Sequence, residues 1–414
     1  MSFPIESIRE KFPALQRQRH QRTVCHFDGP AGSQVPQSVA NAISDYLLHT
    51  NSNRSAPFAV SRESDERVEA GHSAMADFLG TPDAGEIIFG QNMTSLTFAL
   101  SRAISKSWSP GDEILVSQLD HDANVSPWVQ AARDAGVTVH HIPINLEDCT
   151  LDQVAYRNLL SERTKLVAIG YASNATGTVN PVKEMIAAAQ EVGAITFIDA
   201  VHMAPHRRIN VSDLGCDFLC CSAYKFFGPH IGIMYGRRNL LESLPAYKLR
   251  PSPDTLPGRW MTGTQSHESI CGAAAAVNYL ADVGKFVSDE ATHRTEQLDA
   301  AFEAIHQYEA ELSEHFLNRL TELKSLKLWG ISNLKRLKER VPTFSLTHES
   351  IPPSEIATEL GKRGIFVWPG NHYALPFTEA AGLEPHGTLR VGLLHYNTRE
   401  EIDRLMDSLH DVVS

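Results

Sequence analysis

The residues best suited to chemistry stand between Ala194 and Gly232, in the stretch AITFIDAVHMAPHRRINVSDLGCDFLCCSAYKFFGPHIG. Two short apolar runs in it, Ala194–Ile198 and Asp217–Ser222, read as buried strands. An acid, Asp199, follows the first, and a lysine, Lys225, follows the second. In an open α/β sheet, residues just beyond the carboxyl ends of parallel strands face the ligand crevice. A lysine and a carboxylate in that crevice suit pyridoxal phosphate. The amine forms a Schiff base with the aldehyde, and the acid keeps the ring nitrogen protonated so that the ring accepts electrons. A structural ion pair, or a surface lysine after a core strand, accounts for the two residues alone equally well.

Further polar residues fall at the same kind of position. The run Glu86–Phe89 meets Gly90-Gln91-Asn92-Met93-Thr94-Ser95 before helical spacing sets in at Leu96–Ile104. Met93 and Thr94 there would offer backbone N–H groups and a hydroxyl to a phosphate at a helix start, although Thr94 or Ser95 is also an ordinary cap. Glu113–Val116 leads to Asp120-His121, where an imidazole can lie over an aromatic ring. Lys165–Tyr171 leads to Ala172-Ser173-Asn174, where an amide can bond a ring oxygen or a carboxylate, or simply make a turn. Met261-Thr262-Gly263-Thr264-Gln265 is a candidate second phosphate contact. Arg54, in the polar loop Thr50–Pro57, could meet an anion, but a lone loop arginine ordinarily faces water. His202 and His206 are separated by Pro205, which argues against a helical metal pair, so no metal site is expected.

These groups must be positioned by alternating strands and helices from Glu86 onward. That alternation implies right-handed crossovers and a mostly parallel sheet with helices on both faces. Past Ala273 helices dominate through Leu323, including Asp289–Leu320. Strand patches then follow at Thr343–Leu346 and Leu389–Leu393, before a final helix at Arg399–Val412. Three parts are expected: an N-terminal segment, 1–20, packing on the small domain; a cofactor-binding large domain, 21–281; and a small α+β domain, 282–414.

The chain has 414 residues, 42% hydrophobic and 21% charged, with a net charge of −12. This suits an enzyme with a substantial core and argues against nucleic-acid or acidic-membrane binding. The start, MSFPIESIREKF, carries charges where a signal peptide needs an apolar stretch. The alanine-rich run Ile270–Tyr279 is too short to span a bilayer. Six cysteines with no C-x-x-C pair indicate neither a disulfide framework nor zinc. A reducing cytoplasm is the expected compartment.

Taken in order, the motifs resemble the class V aminotransferase-like, PLP-dependent enzymes, and within them the cysteine desulfurase and selenocysteine lyase group. The resemblance spans nearly the whole chain. It rests on Phe27-Asp28, Asp120-His121, Ser173-Asn174-x-x-Gly177-Thr178, Asp199, Ser222-x-x-Lys225 with Gly228-Pro229, Gly263-Thr264, and Arg390 with Tyr396-Asn397-Thr398-Arg399-Glu400-Glu401. It implies the type I PLP-dependent transferase fold, an α/β architecture with a mostly parallel, seven-stranded-type sheet and a smaller α+β domain. Lys225 would carry the cofactor, Asp199 would pair with its ring nitrogen, and His121 would stack on the ring. Asn174 and His202 would bond the ring oxygen. Thr94, Ser222 and Tyr224 would bind the phosphate, joined by Thr264 from the partner of a homodimer. Arg390 would hold the substrate α-carboxylate.

The sequence departs from that family at three places. His202 stands where glutamine is usual and Tyr224 where histidine is usual. In the loop Trp368-Pro369-Gly370-Asn371-His372-Tyr373-Ala374-Leu375-Pro376, Tyr373 takes the place of the catalytic cysteine and Trp368 that of an arginine. A phenol cannot attack sulfur and carry it as a persulfide. The expectation is therefore lyase-type chemistry at Cβ of a small amino acid, with an aromatic Tyr373 loop lining a pocket for a bulkier or less polar side chain. Transamination, epimerisation, desulfuration through another cysteine, and a non-catalytic PLP-binding partner are the alternatives.

Overall fold

The chain is described by a computed structural model covering residues 3–19 and 21–413. Seven strands form the central sheet: β1 Ile87–Gly90, β2 Glu113–Ser117, β3 Thr138–Ile142, β4 Thr164–Gly170, β5 Ile195–Asp199, β6 Phe218–Ser222 and β7 Gly232–Gly236. Their spatial order is β1-β7-β6-β5-β4-β2-β3. All neighbouring pairs are parallel except those made by β7, which runs antiparallel to both β6 and β1. This is the mostly parallel α/β sheet that the alternating pattern implies.

The inner strands read as unbroken apolar runs because both faces are covered. Leu115, Val167, Ile198, Leu219 and Ile233 enter one hydrophobic cluster, and their neighbours Ile114, Leu166, Phe197, Cys220 and Met234 enter the other. The two-residue period of a strand divides the residues between the faces. Cys220 and Cys221 are thus apolar packing groups, fully buried.

A second sheet of β8 Leu326–Trp329, β9 Thr343–His348, β10 Trp368–Gly370 and β11 Thr388–Gly392 has the order β8-β9-β11-β10, all antiparallel. It encloses its own apolar cluster with the helices Arg294–Leu320, Pro353–Lys362 and Arg399–Val413. Cys25 and Phe27 also enter this cluster, since Cys25–His26 pairs with Ile365–Phe366 as a parallel ribbon. The N-terminal segment lies at the junction of the two units. Phe12 packs edge-on against Phe227 and Tyr396, and Arg9 pairs with Glu401 at 3.0 Å. Residues 1, 2 and 20 of that segment lie outside the described residues.

Helix His267–Val287 runs unbroken across position 281/282. It is the one described helix long and apolar enough to cross a membrane, yet more than half of it is buried in the fold. Its small residues permit close packing on Arg294–Leu320: a Cβ on Gly284 would lie 1.8 Å from the Gln297 carbonyl oxygen.

Candidate active site

Four strand ends on one edge of the large sheet deliver the cavity's main side chains. Lys225 closes a short 3₁₀ turn after β6, Asp199 ends β5, His121 follows β2 and Asn174 follows β4. All four line one cavity, together with Met93, Thr94, His202, Ser222 and Tyr224. The edge that the apolar runs single out is therefore where these groups meet.

The Lys225 amine is buried and donates to the Pro30 carbonyl. Burial first, and then the Arg390 guanidinium, pull its pKa from 10.5 down to about 7, with Asp199 opposing. Near neutrality such an amine is substantially uncharged, as a nucleophile or base must be. Asp199 is pushed up to about 6 by burial, against the Val201 N–H and Lys225. That N–H donates to Asp199 Oδ1 at 2.9 Å. A cationic ring nitrogen beside the carboxylate would offset the burial that raises it.

His121 Nδ1 accepts from the Ala123 N–H at 3.0 Å, which leaves the proton on Nε2. Burial, then Lys225 and Arg390, lower its pKa to about 4, so the ring is neutral. Asp120 supports this turn. Its carboxylate accepts from the Gly170 N–H at 2.6 Å and from Asn124 Nδ2 at 3.0 Å. Burial, reinforced by Asp199, raises its pKa well above the usual range. A Cβ on Gly170 would lie 2.4 Å from Asp120 Oδ1, so this crossing of strand and loop requires glycine.

The helix Met93–Ile104 starts at the cavity and is capped by Asn92, whose Oδ1 accepts from the Ser95 N–H at 2.8 Å. Gly232 lets the next strand approach this turn: a Cβ there would lie 2.3 Å from the Asn92 backbone carbon. The result is a helix N-terminus beside Ser222 and Tyr224, suited to a phosphate. Tyr224 stacks on His230 at 5.0 Å, and its ring centroid lies 4.9 Å from Lys225 Nζ. His202 Nε2 shares a 2.9 Å hydrogen bond with Thr343 Oγ1, and burial holds the ring neutral. His206 does not join it at a common ligand. It pairs with Glu309 at 2.8 Å.

Arg390, on β11, reaches across from the small sheet. Its Nη1 donates to the Asn174 carbonyl at 2.9 Å, while its buried Nε has no partner. Asn174 Nδ2 donates to the His372 carbonyl at 2.8 Å, and its buried Oδ1 is likewise without a partner. Tyr373 stacks on His121 at 5.5 Å, and its carbonyl accepts from the Asp122 N–H at 2.7 Å. Lys225, Arg390 and Tyr373 line a second, outer cavity of about 620 Å³.

Three of the sequence candidates stand elsewhere in the single chain. Arg54 Nε donates to Asp65 at 2.7 Å and lines neither cavity. Gly263 and Thr264 are exposed and line a separate hollow that includes Gln91, Ser95 and His230. Asp120, Pro30, His372 and Thr343 were given no site role by the sequence reading. Asp120 alone had a signal, an acid directly before His121 at a strand end.

All six cysteines are buried, and none lines either cavity. Burial raises the thiols of Cys25 and Cys271 to about 11. Among the described residues, no three His, Cys, Asp or Glu groups are placed to hold a metal ion.

The residues present fit pyridoxal phosphate. A buried lysine and a buried acid line one cavity, a helix start faces the same space, and the unpartnered Asn174 Oδ1 borders it. Comparison with known proteins agrees. The family profile described as Aminotransferase class-V matches residues 25–405. A cysteine desulfurase from Pectobacterium carotovorum is 31% identical over 428 residues, covering 100% of this chain and 98% of that protein. One from Yersinia pestis is 30% identical over 431 residues, covering 100% and 99%. Among solved structures, an apo cysteine desulfurase from Thermococcus onnurineus superposes with a TM-score of 0.88 at 25% identity, covering 100% of this chain and 98% of that one. A cysteine desulfurase from Escherichia coli superposes at 0.84 and 24% identity, with full coverage of both chains, and supports the fold.

Proposed function

The chain belongs to the class V aminotransferase family, whose members use pyridoxal 5'-phosphate, and from that premise we propose that it acts on a small free amino acid by removing a group from Cβ. The observation that carries this reading is the meeting of the buried Lys225 amine with Asp199, His121 and Asn174 in one cavity, with Arg390 and Tyr373 on the wall of the space outside it. When bound, pyridoxal phosphate supplies an aldehyde that condenses with amines and a ring that accepts electrons from Cα. Lys225 would hold the cofactor, and its amine would take and return the proton at Cα as a general base. Asp199 would set its negative charge against the ring nitrogen. Neutral His121 would cover the ring, and Asn174 and His202 would bond the ring oxygen.

Met93, Thr94, Ser222 and Tyr224 take the phosphate at the helix start. The free Nε edge of Arg390 takes the α-carboxylate in a charge-assisted pair. Exposed Gly263 and Thr264 complete the phosphate site of a second copy, so the working unit is a homodimer. The six buried, unpaired thiols support work in a reducing cytoplasm.

Sulfur transfer to a thiol is not part of this proposal, because Tyr373 occupies the loop position of the attacking cysteine and no other cysteine lines the cavity. The test is a panel of amino acids incubated with the loaded enzyme and scored for keto acid, the freed β-group, carbon dioxide and racemised product. Keto acid together with a freed β-group, abolished in Lys225→Ala, is expected. Racemisation or amino transfer with the β-group retained overturns the lyase reading. Persulfide on any cysteine restores sulfur transfer.

A further inference from the structure

We propose that the outer cavity selects small free amino acids whose leaving group on Cβ is apolar and aromatic, and that Tyr373 and Trp368 impose the selection. This deepens the reading above and rests on Arg390 as the carboxylate anchor. Besides Arg390, Lys225 and His121, the wall of the 620 Å³ cavity is polar at Thr94, Asp122, Ser126, Gln130, Asn174 and His372, and apolar at Pro30, Ala31, Phe98, Pro127, Trp368 and Tyr373. Two of these present unusually large bare surfaces. Tyr373 is 72% and Trp368 49% exposed, so a ligand side chain laid on them removes apolar area from water at both partners.

The position of Tyr373 is built at a cost. His372 and Tyr373 both take left-handed backbone angles, φ 58° and 56°, a conformation that non-glycine residues seldom adopt and two successive ones still less. Within the loop the Ala374 N–H donates to the Asn371 carbonyl at 2.8 Å and the Tyr373 N–H to Asn371 Oδ1 at 3.1 Å. From the turns after β4 and β2, Asn174 holds the His372 carbonyl and the Asp122 N–H holds the Tyr373 carbonyl, which fixes the bend against the large sheet. Residues kept in sparsely populated angles by surrounding bonds mark positions where a side chain must be aimed. The aim here lays the phenol ring parallel to His121 at the cavity mouth.

Charge excludes other side chains. The cations lining this cavity are Lys225 and Arg390, and both are engaged by the cofactor and the α-carboxylate. Asp122 lines the same wall, its Oδ2 accepting from the Ser126 hydroxyl at 2.8 Å. An acidic side chain therefore meets an anion and no free cation.

The test uses carboxylates that carry no primary amine and cannot condense with the aldehyde: propanoate, 3-phenylpropanoate, succinate and 4-guanidinobutanoate, each titrated into the holoenzyme by calorimetry. Affinity is then read independently of any turnover. 3-Phenylpropanoate is expected to bind about 50-fold more tightly than propanoate, the effect of covering about 100 Å² of ring. Succinate is expected to bind no more tightly than propanoate. The phenyl preference should survive Tyr373→Phe and fall below about 5-fold in Tyr373→Ala and Trp368→Ala combined, on a scale where covering one ring is worth the larger factor. Tighter binding of succinate or of 4-guanidinobutanoate than of 3-phenylpropanoate overturns the proposal, the guanidinium by moving recognition to Asp122. An unchanged preference in the double variant overturns it as well. Binding of none of the four removes the Arg390 anchor and the proposal with it, whereas failure of the lyase assay alone leaves these affinities standing.

Discussion

Lys225 offers the sharpest test, because its ionisation follows from burial and two charged neighbours that can be changed one at a time. With the amine at about 7 rather than 10.5, about half of it is neutral at pH 7, against about one part in 3,000 for an ordinary lysine. Condensation with an aldehyde needs the neutral form. The rate at which cofactor-free enzyme takes up pyridoxal should therefore rise about tenfold from pH 6 to pH 8, from about 9% to about 91% neutral amine, and then level off. Arg390→Gln removes a charge that lowers the pKa, so the inflection moves to higher pH. Asp199→Asn removes a charge that raises it, so the inflection moves lower. Stopped-flow absorbance gives the rates, and borohydride reduction followed by peptide mapping fixes the adduct at Lys225. A rate still climbing tenfold per pH unit up to pH 10 refutes the argument, as does a downward shift in Arg390→Gln.

Three other outcomes are expected. Gly170→Ala drives a methyl group into Asp120, costing about 1–3 kcal/mol by overpacking; thermal unfolding should fall, and cofactor affinity should fall with it as the His121 turn shifts. Gly232→Ala collides with the Asn92 backbone at the helix start, so pyridoxal phosphate should lose affinity far more than pyridoxal, which lacks the phosphate; equal losses would mean a general folding defect. Iodoacetamide applied to the native holoenzyme should leave turnover unchanged, since all six thiols are buried away from both cavities; inactivation with one cysteine labelled would place a thiol in the chemistry.

Much of the site was legible because strands in a covered parallel sheet are apolar on both faces. A polar residue directly after such a run then stands out, as Asp199, His121, Asn174 and Lys225 do. The legibility ends where placement depends on contacts distant in sequence. Arg54 looks available in its loop, but Asp65, eleven residues on, occupies it. Trp368–Gly370 has a proline at its centre and no alternation. It becomes a strand only as the edge partner of β11, where a missing N–H is tolerated. Leu326–Trp329 is likewise too short to announce itself. The left-handed bend at His372 and Tyr373 is a tight turn closed by the Ala374 N–H on the Asn371 carbonyl at 2.8 Å, but no glycine marks it in the sequence. The carbonyl partners that stabilise it, Asn174 and Asp122, lie about two hundred residues or more upstream.

The bond from Arg390 to the Asn174 carbonyl has a consequence for how the pocket keeps its shape. Its floor is assembled from residues numbered 92 to 225 on the large sheet, whereas Arg390 stands on β11 of the small one. A slip of one sheet against the other would carry the guanidinium away while leaving Lys225 and Asp199, which share the large sheet, in register.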